Sequence, residues 1–454
     1  MLGKIKKIHF VGIGGIGMSG MAKLLFNIGY EVSGSDLIDS SITNHLKSLG
    51  ISISIGHAAK NVSDCDLVVY SSAVSLDNLE LIKAKTDNIP YIKRAEMLGE
   101  LLKVKPNSVA IAGTHGKTTT TSMLGVILDN AGIDPTIVVG GIVQEFESNS
   151  ILGEGNTIVV EADEYDKTLL SLKPNMSVVT NIDLEHIDCY PNIQELKDTF
   201  ITFLNSIPFF GINVICYDDK NIQSIIKQIK RPCIKYGYSD KCDVRYENPI
   251  FNEIETSYDL IVNNNLVTKI KLKVPGVHNI LNSLAAICIS LEMEIPIDVI
   301  KNGLINYKGV ERRFEIKYIT TDNIIIIDDY AHHPSEIAAT IESARAGWDI
   351  NKLIVIFQPH LYSRTQTFYK EFSNSLSASD IVIITDIYPS REKEIEGVNS
   401  SLIFNELEGV DAYLLNKNEI SKKISEVVND NDMIIIMGAG DIRNIIDEVY
   451  NEIK

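Results

Sequence analysis

Short apolar runs alternate with longer stretches in which apolar residues recur every three or four positions, almost from end to end of the chain. KIHFVGI (residues 7–13) reads as a buried strand. GMSGMAKLLFNIG (17–29) reads as a helix, because Met18, Met21, Leu24, Leu25 and Ile28 fall on one face and Gly29 supplies a stop. YEVSGSD, ISISIGH and DLVVYSSAV continue the alternation, which predicts a mostly parallel sheet. KVKPNS (103–108) then reads as a linker.

A second block opens with SVAIAG, a buried strand running into a glycine loop and the helical stretch KTTTTSMLGVILDNAG. TIVVEADE and MSVVTNID are further apolar strands that end in acidic residues. Two runs between about 250 and 275, split by Asn263, Asn264 and Asn265, predict a hairpin, and VPGVHNILNSLAAICISLEM a helix entered through Pro275 and Gly276. The last block carries IIIIDDY, KLIVIFQP, DIVIITDIY and MIIIMGAGD as strands, separated by helical stretches such as PSEIAATIESAR, where Pro334 suits a first helical turn. The fold class expected is α/β, with three consecutive doubly wound domains over 1–104 (Rossmann-like), 105–314 (P-loop ATPase-like) and 315–454 (Rossmann-like).

Composition narrows the function. The 454 residues are 45% hydrophobic and 22% charged, ordinary values for a globular protein. No apolar run approaches the ~20 residues of a membrane span, and the basic-then-apolar start runs into a glycine loop, so strand is expected rather than signal peptide. A net charge of −18 argues against nucleic-acid binding. The six cysteines (65, 189, 216, 233, 242, 288) form no C-x-x-C pair and read as reduced, mostly buried residues of a cytoplasmic chain.

Two phosphate loops stand out. Gly12, Gly14 and Gly17 spell G-x-G-x-x-G after an apolar run, and Asp36 closes the next run 19 residues past Gly17, which by motif alone is an NAD fingerprint. GTHGKTT lies between an apolar strand and a helix, where backbone N–H groups can wrap phosphate oxygens, Lys117 reach the β/γ-phosphates and Thr118 ligate Mg²⁺. The strict P-loop pattern wants glycine at 111, where Ile111 stands. Glu161, Asp163 and Glu164 end one strand, and Asp183, Glu185, His186 and Asp188 another; these are metal-binding carboxylates or solvated loop charges. His186 alone is equally a ligand or a structural hydrogen-bonder. His278, Asn279 and Asn282 open an apolar helix and either cap it or read a base edge. Arg312 and Arg313 either neutralise a transferring phosphate or bridge domains. Asp328, Asp329, Tyr330, His332 and His333 end one strand and His360 and Arg364 the next, a candidate carboxylate-binding patch.

GIGGIGMSG, GTHGKTTTT, EADE, TNIDLEHIDCY, PGVHNILNSLAA, GVERRFE, DDYAHHP and FQPHLYSRT occur in this order across the chain. The ordered set resembles the Mur ligases of bacterial cell-wall synthesis, and its first and last motifs resemble the alanine-adding branch. The resemblance implies that the first loop (Gly14, Gly15, Ile16, Gly17) holds the diphosphate of a UDP-sugar rather than NAD, with Asp36, His57 and Ser71 as further contacts. It implies ATP on Gly113, Thr114, His115, Gly116, Lys117 and Thr118, with Asn279 and Asn282 at adenine, Arg313 at phosphate and Asp329 at ribose. Thr118, Glu161 and His186 match metal positions for Mg²⁺ or Mn²⁺; Lys117, His186 and Arg313 match catalytic ones. His360 and Arg364 match residues that place the amino acid. Leu361 stands where arginine is common, Glu185 where aspartate is common, and EADEYDKTLL replaces EADESDASFL. Related members carry a carbamylated lysine for which this chain offers no candidate.

The implied reaction joins L-alanine to the carboxylate of UDP-N-acetylmuramate through an acyl phosphate, in a cytoplasmic monomer or homodimer with neither nucleic-acid nor membrane partners. One loop then holds a handle on the substrate and the other the energy source. The alternatives are a sister or recycling ligase, an NAD-dependent oxidoreductase, or a nucleotide-dependent binding protein without turnover.

Overall fold

The computed structural model describes residues 5–71, 73–185, 189–390 and 392–454. Three sheets follow one another along the chain. The first has the spatial order Ser52–Ile55, Glu31–Asp36, Lys7–Val11, Leu67–Tyr70, Tyr91–Lys93, all parallel. Its order reverses beside the central strand Lys7–Val11, so the crevice at that strand's carboxyl end receives the glycine loop. The helix Ile16–Ile28 ends at Gly29, whose φ of 104° closes it in the left-handed region, as the sequence predicts.

The second sheet runs, in parallel, Cys233–Gly237, Ile212–Cys216, Met176–Val179, Asn107–Ala112, Thr157–Glu161 and Thr136–Val143, with Ser148–Ile151 antiparallel on the edge. Asn107–Ala112 is central and its last five residues are buried, hence its unbroken apolar run. The strand begins at Asn107, inside the stretch expected to be linker. Where a single hairpin was expected, Val244–Asn252, Glu255–Val262 and Asn265–Leu272 form a three-stranded meander, its first strand hidden from a periodicity argument by Pro249. The third sheet has the order Glu315–Ile319, Ile325–Asp329, Met433–Met437, Leu353–Phe357, Ile381–Ile384, Asp411–Leu414. It is parallel except for its first strand, so the doubly wound pattern gains an antiparallel edge.

The chain forms two compact units: Met1–Arg245 with Ile261–Leu266 and Leu281–Tyr307, and Tyr246–Leu260 with Val267–Ile280 and Lys308–Lys454. Within the first unit, the helix Ile16–Ile28 packs on the strands Thr136–Val143 and Ser148–Ile151 of the second sheet. There the Asn149 amide donates to Ile16 O at 2.8 Å and Lys23 Nζ to Ser148 Oγ at 3.1 Å. In the third sheet, the isoleucines Ile326, Ile354, Ile356, Ile434 and Ile436 line one buried face and Ile327, Val355, Phe357 and Ile435 the other, which is the signature of a sheet covered on both sides. Among the described residues no helix is long and apolar enough to cross a membrane.

Candidate functional site

The P-loop is built on the buried strand Asn107–Ala112, and Ile111 has a plain reason to replace glycine: it still lies in the ladder, opposite Glu161 and Val178. The turn starts only at Gly113. Gly113 (φ 131°) and Gly116 (φ 80°) take backbone conformations that L side chains rarely adopt. A Cβ on the first would collide with Thr180 Oγ1, and one on the second with Asn282 Oδ1. Residues after the neighbouring strand pin the loop: Asn181 Oδ1 accepts from His115 N at 2.8 Å, and Thr180 Oγ1 donates to His115 O at 2.5 Å. Thr114 Oγ1 donates to Asp183 O (3.0 Å) and accepts from Asp183 N (2.9 Å). The helix Lys117–Asn130 follows with no side chain capping its start, so its first N–H groups and dipole face the loop.

Lys117 folds back on this loop. Its Nζ donates to Gly113 O (2.6 Å), Thr114 O (2.9 Å) and Glu164 Oε2 (2.8 Å). Burial disfavours the charge, but Glu164, Asp163 and Glu161 together raise the pKa of Lys117, so the ammonium is kept. Thr118 Oγ1 donates to Glu161 Oε2 at 3.0 Å, and Gly140 N donates to the same oxygen at 2.7 Å. Burial raises the pKa of Glu161, with Lys117 opposing. A hydroxyl and a carboxylate oxygen side by side at the mouth of a phosphate loop are the hard donors that Mg²⁺ takes, so this pair fits the metal. His186, the third candidate, lies outside the described residues, as does Asp188. Asn282, on the helix Val277–Glu292, is buried beside Gly116 and accepts from Thr120 Oγ1 at 3.2 Å.

The first glycine loop is organised by Ser35 and Asp36. Ser35 O accepts from Gly12 N (2.8 Å) and Ile13 N (3.0 Å), and Asp36 Oδ2 accepts from Gly14 N (2.8 Å). The helix Ile16–Ile28 starts at Gly15 without a capping side chain. Ser71 follows the strand Leu67–Tyr70, its Cβ 3.3 Å from where a Cβ on Gly12 would stand. His57 Nδ1 lies 3.0 Å from Ser35 Oγ and 3.3 Å from the buried Glu80 carboxylate. The motif reading missed two side chains here. Arg94 extends across the first turn of the helix, its Nη1 2.7 Å from a Cβ built on Gly17, and its Nη2 lies 3.6 Å from Asp163 Oδ2. Glu80 sits beneath His57. Neither belongs to a local motif, and the only trace in sequence is Asn78, which caps the helix that carries Glu80.

In the second unit, Arg313 Nη1 is 3.2 Å from Glu336 Oε1, and the guanidinium carbons of Arg312 and Arg313 lie 4.8 and 5.2 Å from the centroid of the Tyr330 ring. Asp329 is buried, and both its oxygens are engaged by backbone: Oδ2 by Phe314 N (2.8 Å) and Oδ1 by Ala331 N (2.7 Å). Burial pushes its pKa up to about 6, against the pull of Arg313 and those two donors. The Asn279 amide donates to Pro275 O at 2.7 Å, the local bond expected of a residue in a first helical turn. His360 and Arg364 come together, with Arg364 Nη1 3.3 Å from His360 Nδ1. The His360 ring stacks on Tyr388 at 5.8 Å and stands 6.0 Å from the His332 ring. Leu361 packs inward at a φ of 72°, which turns the chain into the helix Tyr362–Leu376 carrying Arg364.

Three α/β domains in series, the second with a short P-loop flanked by strand-end carboxylates and the first with its own phosphate loop, define a nucleotide-using enzyme that also holds a phosphorylated substrate. Residues 7–106 match the Mur ligase family catalytic domain, 111–290 the Mur ligase middle domain and 312–440 the Mur ligase glutamate ligase domain. The chain belongs to the Mur ligase family. It is 46% identical to the UDP-N-acetylmuramate–L-alanine ligase of Geotalea uraniireducens, over 100% of this chain and 99% of that one. It is 45% identical to the enzyme of the same name from Trichlorobacter lovleyi, over 97% and 98%. Among solved structures, the UDP-N-acetylmuramate–alanine ligase MurC of Thermotoga maritima superimposes with a TM-score of 0.83 at 31% identity, covering 98% of each chain.

Proposed function

We propose that the chain joins L-alanine to the carboxylate of UDP-N-acetylmuramate with cleavage of ATP to ADP and phosphate, as a cytoplasmic step of peptidoglycan precursor synthesis. The observation that carries this reading is the 3.6 Å approach of Arg94, lying across the sugar-side loop, to Asp163 at the end of the strand beside the P-loop. It brings the handle-binding end and the phosphate-transfer end into one unit, which a reaction between the two substrates requires.

Residues 1–104 bind the UDP-sugar, through the N–H groups of Gly14, Gly15, Ile16 and Gly17, with Asp36, His57 and Ser71 around them. Residues 105–314 bind ATP on the loop from 113 to 118, with Asn279 and Asn282 toward the base. Residues 315–454 bring the amino acid, its carboxylate on Arg364 and its amine toward His360. The substrate carboxylate oxygen attacks the γ-phosphorus, the bond to the β-phosphate oxygen breaks, and ADP leaves. The neutral amine of alanine then attacks the acyl carbon, inorganic phosphate leaves, and the nitrogen loses its extra proton to give the amide. Lys117 and Arg313 balance the charge that spreads over the transferring phosphoryl group. Thr118 and Glu161, with His186, would hold Mg²⁺ or Mn²⁺, which when bound supplies further neutralisation of the phosphates. The acyl phosphate hydrolyses if water reaches it, so the reading includes closure over the P-loop during turnover.

Phosphate release from ATP tests the proposal. Release that requires both UDP-N-acetylmuramate and L-alanine, with a product heavier by one alanyl residue, is expected. Release with another amino acid alone would change the substrate assigned, and no release with any combination would remove the enzyme reading.

A further inference from the structure

The first domain contains a buried carboxylate that the proposed reaction does not use. Glu80 has no solvent exposure and sits in the first turn of the helix Leu79–Thr86. Its Oε1 accepts from the Asn61 amide (2.6 Å) and from Ala58 N (3.3 Å). Its Oε2 accepts from Ser35 Oγ (2.6 Å) and faces His57 Nδ1 at 3.3 Å and His9 Nε2 at 3.8 Å. Burial opposes ionisation, yet the nearby His9 ring and the bonds from Ser35 and Asn61 bring the pKa of Glu80 down to about 2. The group is therefore a carboxylate, which can only accept hydrogen bonds.

That fixes the chemistry of His57. Ser35 Oγ gives its one proton to Glu80, so toward His57 it also offers only a lone pair. Both neighbours of Nδ1 are acceptors, and Nδ1 must carry the proton. In the neutral ring Nε2 is then an acceptor. His57 keeps 15% of its side-chain surface exposed and directly follows Gly56, whose N–H donates to Asp36 O at 2.7 Å. Ser35 ties His57 to the glycine loop as well: its hydroxyl meets His57 Nδ1 and its carbonyl holds Gly12 and Ile13.

We propose that Glu80 is a positioning residue for nucleotide recognition: it locks His57 as the Nδ1–H tautomer, so that Nε2 offers a lone pair to the imide N–H of a uracil base. Cytosine presents a lone pair at the equivalent ring nitrogen and would meet Nε2 acceptor to acceptor, so the device selects UDP over CDP. The inference rests on the reading that the first domain binds the UDP handle.

Long-range ¹H–¹⁵N NMR of the full-length protein tests the tautomer without any substitution: His57 is expected protonated on Nδ1, and an Nε2–H ring would overturn the proposal. In Glu80→Gln the side-chain amide can donate to Nδ1 and release the lock. KM for the UDP-sugar is expected to rise about tenfold, equivalent to ~1.4 kcal/mol, with kcat and the KM values for ATP and alanine moved less than twofold. The preference for UDP over CDP in direct binding should narrow by a similar factor. An unchanged KM and an unchanged UDP/CDP ratio in a folded Glu80→Gln would overturn the proposal. His57→Ala separates the two levels. If it leaves UDP binding intact, the reading of the site falls and the inference with it; if it weakens UDP binding while Glu80→Gln does not, only the inference falls.

Discussion

The ammonium of Lys117 lies 2.8 Å from the Glu164 carboxylate, with side-chain exposures of 12% and 1%. The lysine of the phosphate loop is thus held by a nearly fully buried anion. ATP phosphates arriving at the loop would offer the same ammonium a second set of anionic partners. Lys117→Ala is expected to lower kcat/KM by roughly 10²–10³-fold, the range for losing one preorganised charge at a transferring group. Glu164→Gln strands a buried ammonium and should cost about 3 kcal/mol, the low end for breaking a buried pair because Lys117 is not fully enclosed. A non-hydrolysable ATP analogue should then raise the melting temperature of Glu164→Gln by more than it raises that of the wild type. Equal shifts in differential scanning fluorimetry would show that the phosphates do not take over the role of Glu164.

The pair Thr118 Oγ1 and Glu161 Oε2, 3.0 Å apart, carries the second prediction. Thr118→Val keeps the shape and removes one hard donor, so the Mg²⁺ concentration for half-maximal phosphate release should rise tenfold or more. Because burial raises the pKa of Glu161, protons compete with the metal for it more effectively than for an ordinary carboxylate. The Mg²⁺ requirement should therefore increase as pH falls, and this dependence should flatten in Glu161→Gln. A Mg²⁺ titration at several pH values reads both.

Much of this architecture is legible in the sequence because the information is local. The loop at 113–118 is recognisable from glycine, lysine and threonine within a few residues of an apolar strand, and the helix after Gly15 from its 3.6-residue rhythm. What was not legible depends on distance. Ile111 is a departure from pattern until the ladder shows it still paired with Val178 and Glu161. Arg94 and Glu80 reach the first loop from 77 and 45 residues beyond the residues they approach, Gly17 and Ser35, across strands whose order periodicity cannot supply. The strand beginning at Val244 is not legible because its second half is mostly exposed and carries Pro249, which leaves little alternation to detect.

Arg364 and His360, 3.3 Å apart, set up the third prediction. Arg364 is buried, and its planar fork can hold a carboxylate through two parallel bonds, which an ammonium cannot. Arg364→Lys should raise KM for alanine by about 10–100-fold, roughly 1.4–2.7 kcal/mol, while KM for ATP moves less than threefold. Initial-rate kinetics with each substrate varied in turn separates the two. An equal rise in both would mean that Arg364 supports the domain rather than the amino acid.

His278 gives the pH dependence of stability. It opens the helix Val277–Glu292, and burial, with the Arg313 guanidinium adding to it against Glu336, pulls its pKa down to about 4. An unfolded histidine binds its proton near pH 6.5. Between pH 6.5 and about 4 the unfolded chain therefore holds more protons than the folded one at this position, and stability falls as pH drops through that window. Above pH 6.5 both states are neutral and the contribution is constant. His278→Gln carries no titrating ring, so its melting temperature should decline less between pH 7 and 5 than that of the wild type, whatever the offset between the two at pH 7. Melting curves at half-unit pH steps give the slopes directly, and parallel slopes would show that His278 takes up its proton in the folded state as readily as in the unfolded one.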